Sequence, residues 1–261
     1  LDAVSGMRGV LCLHENVATG AADGYARMAG KPAMCLLHLG PGLANGLTNL
    51  HNARRAFTPI LNVIGEHTTW HLPADPLLAS DIEQLAGTVS NAVIRLSPSG
   101  DIGAALRDAL DATRAGGGGI ATLIVPQDIQ TEPAAPAARQ ASTSGHRQAK
   151  AYDSGKVEAA AKALKSGRGA LLLGGEALSE EALLHAADIA AVTGARLICD
   201  TFFARMERGG DLPSVTKLPY FPDAAMELTR GFDRVVIAGT RRPVAFFGYS
   251  GQPSYMTSDA Q

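Results

Sequence analysis

Glu15 is the residue of this sequence best placed to do chemistry. It follows an apolar run, Val10 to Leu13, and a stretch of small residues comes directly after it. The run predicts a strand over residues 9–14 and the small residues a helix over 16–29, which puts Glu15 at the carboxyl end of a strand, where open α/β sheets bind ligands. A carboxylate there can exchange a proton with a cofactor or accept its hydrogen bond. The alternative is a charge that complements the dipole of the following helix.

A Gly40-Pro41-Gly42 sequence follows the next predicted strand, residues 33–38, and precedes a helix predicted over residues 43–56. Such a turn brings the backbone close to whatever lies above the sheet edge, and the N–H groups that open the next helix are free to donate. His38 and Asn45 would add polar contacts there. A purely structural turn and a hydrogen-bonded histidine at the strand end are the alternatives.

Two other places carry weaker signals. The loop after a third predicted strand, residues 59–65, holds Glu66, His67, Trp70 and His71. The histidine spacing suits a metal only on a helix, and the segment lacks helical patterning, so we interpret it as a solvated active-site loop and predict no metal site. In the second half, Leu173-Gly-Gly-Glu176 resembles a nucleotide-binding turn but lacks the full G-x-G-x-x-G pattern.

Composition points to a protein with a substantial core. Hydrophobic residues make up 46% of the 261 residues and charged residues 18%, and the net charge is −2. This balance indicates neither a nucleic-acid partner nor an anionic membrane. The three cysteines are far apart in sequence, which favours buried free thiols over disulfides. With no apolar run of transmembrane length and no signal peptide, we expect a cytoplasmic enzyme or binding protein.

The alternation of elements predicts the fold class and the domains. Continuous apolar strands separated by helices indicate an α/β protein with two doubly wound parallel-sheet domains. Residues 131–150 have almost no large apolar side chain and are predicted to link a domain over 1–130 to a smaller one over 151–261. Because the chain begins at Leu1 and ends at Gln261 without a closing element, we expect both ends to be truncated.

His14-Glu15, Gly20-Ala-Ala-Asp-Gly-Tyr-Ala-Arg27, Gly40-Pro-Gly42 with Asn45, and a strand into Gly65 form one ordered set. The set closely resembles the pyrimidine-binding domain of thiamine-diphosphate-dependent enzymes, and within them the acetolactate (acetohydroxyacid) synthase large subunits. Residues 151–249 resemble the central domain of that group through weaker motifs, namely Leu173-Gly-Gly175, Phe203-Ala-Arg-Met-Glu207 and Pro243-Val-Ala-Phe-Phe247.

The resemblance implies a cofactor, a reaction and a set of site residues. Glu15 would hydrogen-bond a ring nitrogen of the aminopyrimidine of thiamine diphosphate (ThDP), and Gly40, Pro41, Gly42 and Asn45 would line the pyrimidine pocket. His38 is a candidate catalytic proton relay. The implied reaction is decarboxylation of a small 2-keto acid such as pyruvate with carboligation, in a homodimer or homotetramer. The cofactor carries the difficult chemistry, and the protein supplies position and proton traffic.

Three departures from the family pattern matter. Gly65-Glu66 stands where many members have Gly-Gln, and no FAD-contacting residue of the central domain can be matched, which leaves FAD doubtful. The third domain, which binds the diphosphate and Mg²⁺ through a Gly-Asp-Gly motif, is absent, so the Mg²⁺ ligands would lie outside this chain and the chain alone would be inactive. The alternatives are a non-catalytic paralogue or regulatory partner subunit, and a nucleotide-binding module centred on the second domain.

Overall fold

The computed structural model describes residues 6–98, 100–132, 152–259 and 261. The chain divides into two compact units, residues 1–142 and 143–261, and each contains a four-stranded sheet in which every pair of strands is parallel. The predicted α/β class with two parallel-sheet domains is therefore confirmed. Most of the predicted linker, residues 131–150, lies outside the described residues, and the boundaries of the domains remain predictions.

The first unit alternates helices and strands. Its helices are α1 (Glu15–Ala29), α2 (Leu39–Arg55), α3 (Ile82–Gly87), α4 (Ile102–Arg114) and α5 (Gln127–Thr131). Its strands are β1 (Ala33–His38), β2 (Ile60–Glu66), β3 (Ala92–Arg95) and β4 (Ile120–Pro126), in the order β1-β2-β4-β3. Short 3-10 turns cover Leu72–Ala74 and Ala115–Gly117.

Both faces of this sheet are covered, which explains its unbroken apolar strands. On one face α1, α2 and α3 pack over Ile60, Ile64 and Ile124, with Leu43 and Leu50 of α2 fully buried. On the other face α4 packs over Leu61 and Leu123.

The second unit repeats the plan on a smaller scale. Its helices are α6 (Ser154–Lys165), α7 (Glu180–Thr193) and α8 (Pro222–Arg230), and a 3-10 turn covers Gly175–Leu178. Its strands are β5 (Gly169–Leu173), β6 (Arg196–Cys199), β7 (Thr216–Lys217) and β8 (Arg234–Ala238), in the order β7-β6-β5-β8. The two-residue strand β7 was not predicted from the sequence. No helix in the described part of the chain is long and apolar enough to cross a membrane.

The strand predicted over residues 9–14 is wrong. These residues are not in a strand, and Leu11 and Leu13 are 93% and 98% exposed. A strand needs a neighbour for its backbone groups, and β1 is paired within the described residues only with β2. Glu15 therefore begins helix α1 and does not end a strand.

The Gly40-Pro41-Gly42 turn is also placed differently. Helix α2 already begins at Leu39, so these three residues form its first turn. Proline is tolerated there because the first N–H groups of a helix have no partner within it. The corner between β1 and α2 is made instead by Leu39, which has a positive φ of 56°. Helix α4 is capped by Asp101, whose side chain accepts from the Ala104 N–H at 3.0 Å.

The prediction of free cysteines is confirmed, although only two of the three are buried. Cys12, Cys35 and Cys199 are free, and the last two are buried. Burial raises the pKa of the Cys35 thiol to about 12, so this side chain is a packed apolar group and not a reactive thiolate.

Candidate functional site

Glu15 is presented by the start of α1. The preceding residue, His14, caps the helix, and its Nδ1 accepts a hydrogen bond from the Asn16 N–H at 3.1 Å. The cap fixes the extended backbone of His14, and therefore the direction in which the Glu15 side chain leaves the helix.

Helix α2 meets the Glu15 carboxylate with one amide and one glycine. Nδ2 of Asn45 donates to Oε2 of Glu15 at 3.3 Å. The other oxygen, Oε1, faces Gly42, and a Cβ placed on that glycine would lie 3.6 Å from it. Oε2 therefore accepts a hydrogen bond from Asn45, whereas Oε1 lies next to the backbone of Gly42. The sequence-predicted residues Glu15, Gly42 and Asn45 are brought together.

His38 lies on the same edge. It is the last residue of β1, its side chain is exposed, and its Cβ is 3.5 Å from where a Gly42 Cβ would be. Among the described residues its imidazole makes no hydrogen bond. The structure therefore places His38 beside the Gly42 end of the site.

Gly40 and Pro41 show no contact with Glu15 of the kind that Gly42 makes. A Cβ on Gly40 would lie 2.3 Å from Cβ of Ser80, in the segment before α3, so packing explains the need for glycine. Pro41 is exposed in the first turn of α2. Their predicted contact with a cofactor stays a prediction.

Sequence reasoning missed the residues that lock α1 against α2. Thr19 Oγ1 donates to the Gly46 carbonyl at 3.1 Å, and Asn49 Nδ2 donates to the Asn16 carbonyl at 2.7 Å. The signal was available, because Gly42, Asn45, Gly46 and Asn49 recur at the spacing of one helix face.

A second polar cluster lies at the end of β2. The Glu66 side chain is 1% exposed, its Oε2 is 3.6 Å from Nη1 of Arg95, and Nε of Arg95 donates to Oε1 of Glu83 at 2.7 Å. His38 pairs with Gly65 in the sheet, so Glu66 lies one strand away from the Glu15 site. Oε2 of Glu66 has no hydrogen bond among the described groups.

The histidine-bearing loop after Glu66 is anchored by a carboxylate. Asp128 accepts from both the N–H and the hydroxyl of Thr69, and the hydroxyl hydrogen bond is the main cause that lowers the pKa of Asp128. The rings of His67 and His71 are 6.2 Å apart, and no group of three or more His, Cys, Asp or Glu side chains suited to a metal occurs in the described ranges.

The glycines of Leu173-Gly-Gly-Glu176 have a packing explanation. A Cβ on Gly174 would lie 2.4 Å from Cβ of Thr240, and one on Gly175 would lie 2.8 Å from the Gly239 carbonyl oxygen. Two loops that follow neighbouring strands β5 and β8 therefore need glycine simply to pass each other.

Comparison with known proteins identifies the first unit. Residues 1–88 match the family described as thiamine pyrophosphate enzyme, N-terminal TPP binding domain, where TPP is another name for ThDP. Residues 1–88 of this chain therefore belong to that domain family. IlvX of Mycobacterium tuberculosis, named as a candidate acetolactate synthase large subunit, is 49% identical over 255 residues, which are 97% of this chain and 48% of that protein. The acetolactate synthase of Mycobacterium leprae is 26% identical over 201 residues, 76% of this chain and 32% of that protein. This chain is a homologue of acetolactate synthase large subunits.

Solved structures show the same fold. A candidate thiamin diphosphate-dependent enzyme from Mycobacterium smegmatis superposes with a TM-score of 0.82 at 24% identity, over 99% of this chain and 50% of that one. The 4-hydroxybenzoylformate decarboxylase of Rhodococcus jostii RHA1 gives 0.83 at 20% identity, over 99% and 49%. Thus the chain spans about half the length of IlvX and of these structures.

Proposed function

We propose that this chain supplies the pyrimidine-binding half of a ThDP site in an enzyme that decarboxylates a small 2-keto acid, such as pyruvate, and ligates the product as acetolactate synthases do. The observation that carries the proposal is the Glu15 carboxylate, held on one oxygen by Asn45 and open on the other over Gly42. The family match over residues 1–88 supports it.

The residues present fit an aminopyrimidine ring. A carboxylate oxygen is the acceptor that a protonated ring nitrogen requires. In the proposal the ring lies next to Oε1, where Gly42 carries no side chain and a Cβ would come within 3.6 Å of that oxygen. His38 adds an unengaged imidazole on the same edge.

Each residue then has a defined task. Glu15 accepts the hydrogen bond from the ring nitrogen and exchanges a proton with it, and Gly42 lets the ring approach. His38 would hold or move a proton at its imidazole. ThDP itself, when bound, supplies the electron sink for loss of carbon dioxide.

Part of the site belongs outside this chain in our proposal. A diphosphate needs Mg²⁺ and backbone donors, and Mg²⁺ is bound by carboxylates, phosphates and water. We propose that these ligands come from a further domain, in a homodimer or homotetramer located in the cytoplasm. The 261-residue chain alone is then expected to be inactive. FAD forms no part of the proposal.

Turnover of pyruvate tests the proposal. A longer gene product that contains this chain is incubated with Mg²⁺, ThDP and pyruvate, and carbon dioxide and acetolactate are measured. We expect Glu15→Gln to lower the rate about 100-fold, as for loss of a proton-transfer group. Glu158→Gln, at an exposed position on α6, is the control and is expected to keep the rate.

Two results would overturn parts of the proposal. A Glu15→Gln rate within about twofold of wild type would remove Glu15 from the chemistry. Turnover by the 261-residue chain alone would show that it needs no ligands from elsewhere. ThDP binding without turnover by the longer product would instead favour a non-catalytic paralogue.

A further inference from the structure

Glycine and asparagine alternate along the face of α2 that meets α1. Gly42, Asn45, Gly46 and Asn49 follow the i, i+3, i+4, i+7 spacing of one helix face. The two helices approach closely along this row. A Cβ on Gly46 would lie 2.9 Å from Cγ2 of Thr19, and a Cβ on Gly20 would lie 2.8 Å from Nδ2 of Asn49.

The second half of the row holds the backbone of α1. Asn49 donates to the Asn16 carbonyl at 2.7 Å, and the Gly46 carbonyl accepts from Thr19 at 3.1 Å. The Thr19 side chain is buried, and Asn49 is partly buried. These contacts fix the axial position of α1 along α2, and therefore the position of the Glu15 Cα.

Asn45 acts on a side chain instead. Its Nδ2 donates to Oε2 of Glu15 at 3.3 Å, although Asn45 is exposed and its amide could be satisfied by water. An exposed hydrogen bond of this kind contributes little to folding. What it does provide is orientation, because it holds one carboxylate oxygen and turns the other, Oε1, toward Gly42.

We propose that Asn45 is a positioning residue that acts through Glu15: by holding Oε2 it aims Oε1 at the ring of the bound cofactor. This inference rests on the function proposed above and deepens it. It differs from the direct cofactor contact that the sequence predicts for Asn45, because the amide is already donated to Glu15.

A double-mutant cycle separates acting through Glu15 from direct contact. In the assembly that binds Mg²⁺–ThDP, we measure exchange of the thiazolium C2 proton for deuterium and the ThDP dissociation constant. Asn45→Ala is expected to slow exchange about tenfold in the wild-type background, as for loss of a hydrogen bond to a charged group, and to have no further effect beside Glu15→Gln. Asn45→Asp, which has the same shape but no donor, is expected to be at least as slow.

A measurement without cofactor supports the cycle. In the 261-residue chain, Glu15→Gln is expected to shift the NMR signals of the Asn45 side-chain amide and to leave those of Asn49 in place. Asn49→Ala is the matched control from the same helix face. It is expected to lower the melting temperature, which Asn45→Ala is expected to leave nearly unchanged because its hydrogen bond is exposed.

The outcomes are distinct. If Asn45→Ala slows exchange equally in both backgrounds, or leaves it unchanged in the wild type, Asn45 does not act through Glu15 and the inference is overturned. If Glu15→Gln alone leaves exchange unchanged, or if no assembly binds ThDP, the proposed function fails and the inference fails with it.

Discussion

Gly42 and Glu15 face each other across the α1–α2 contact, and a Cβ on Gly42 would lie 3.6 Å from Oε1 of Glu15. This distance is ordinary van der Waals contact, and Gly42 is helical, so Gly42→Ala is expected to fold and to gain up to about 1 kcal/mol of helix stability. The added methyl group takes space from the proposed ring. We therefore predict an unchanged or higher melting temperature and roughly tenfold weaker ThDP binding, measured by calorimetry.

Gly46 is the matched control for this prediction. A methyl group there would meet Thr19 at 2.9 Å, away from the carboxylate, so Gly46→Ala is expected to lower stability by about 1–3 kcal/mol through overpacking. If Gly42→Ala instead destabilised the fold as much and left ThDP binding intact, the space over Oε1 would have only a structural role.

The anchor between Thr69 and Asp128 predicts a pH dependence. The Thr69 hydroxyl lowers the pKa of Asp128 below its usual 3.8, so the stabilisation from this carboxylate is present above about pH 4 and is lost as pH falls through the lowered pKa. Thr69→Val removes the hydroxyl at nearly constant shape. Its loss of stability relative to wild type is expected to be full near pH ~6 and to shrink below pH ~4, in urea unfolding at several pH values.

Thr69→Ser separates the hydroxyl from the methyl group. It keeps the donor and is expected to follow the wild-type pH profile. A constant stability difference between Thr69→Val and wild type, from about pH 6 down to the lowest pH tested, would argue against the hydroxyl–carboxylate hydrogen bond.

Arg95 compensates the charge of the Glu66 carboxylate, which is buried. Removing one partner of a buried ion pair leaves an uncompensated charge, which costs about 3–5 kcal/mol when both partners are buried. Arg95 is 34% exposed, so we expect Arg95→Leu to cost about 2 kcal/mol. Adding Glu66→Gln removes the stranded charge and is expected to restore most of the loss. An additive double mutant would show that the two side chains are not coupled.

The division into two units predicts independent folding. Residues 1–132 and 152–261, expressed separately, are each expected to unfold in one cooperative thermal transition, because each has its own sheet and core. A half that shows no transition alone but regains one when mixed with the other would contradict this.

Most of the fold could be read from the apolar pattern. Strand β1 has the bounds predicted for it, because its apolar run is bordered by proline on one side and by a glycine-rich segment on the other. The strand predicted over residues 9–14 is wrong for a physical reason. An apolar run forms a strand only if another strand pairs with its backbone groups. The predicted start of α2 is four residues late because Gly-Pro-Gly is usual in turns. The turn between β1 and α2 is made instead by Leu39, where the helix begins.

The sequence predicts the residues of the candidate site but not how they are arranged. Glu15, Gly42 and Asn45 could be named from the sequence, and the structure brings them together. The role of Asn45 as a partner of Glu15 depends on the register of α1 against α2. That register is set by Thr19 and Asn49, whose contacts are not local in sequence.

Exchange of the C2 proton of bound ThDP tests the central claim most directly, since it depends on the proton traffic assigned to Glu15. Wild type and Glu15→Gln are compared in the ThDP-binding assembly, at cofactor concentrations that saturate both. We predict exchange about 100-fold slower in Glu15→Gln. Equal exchange rates in the two saturated proteins would contradict the assignment of Glu15 as the cofactor-activating carboxylate.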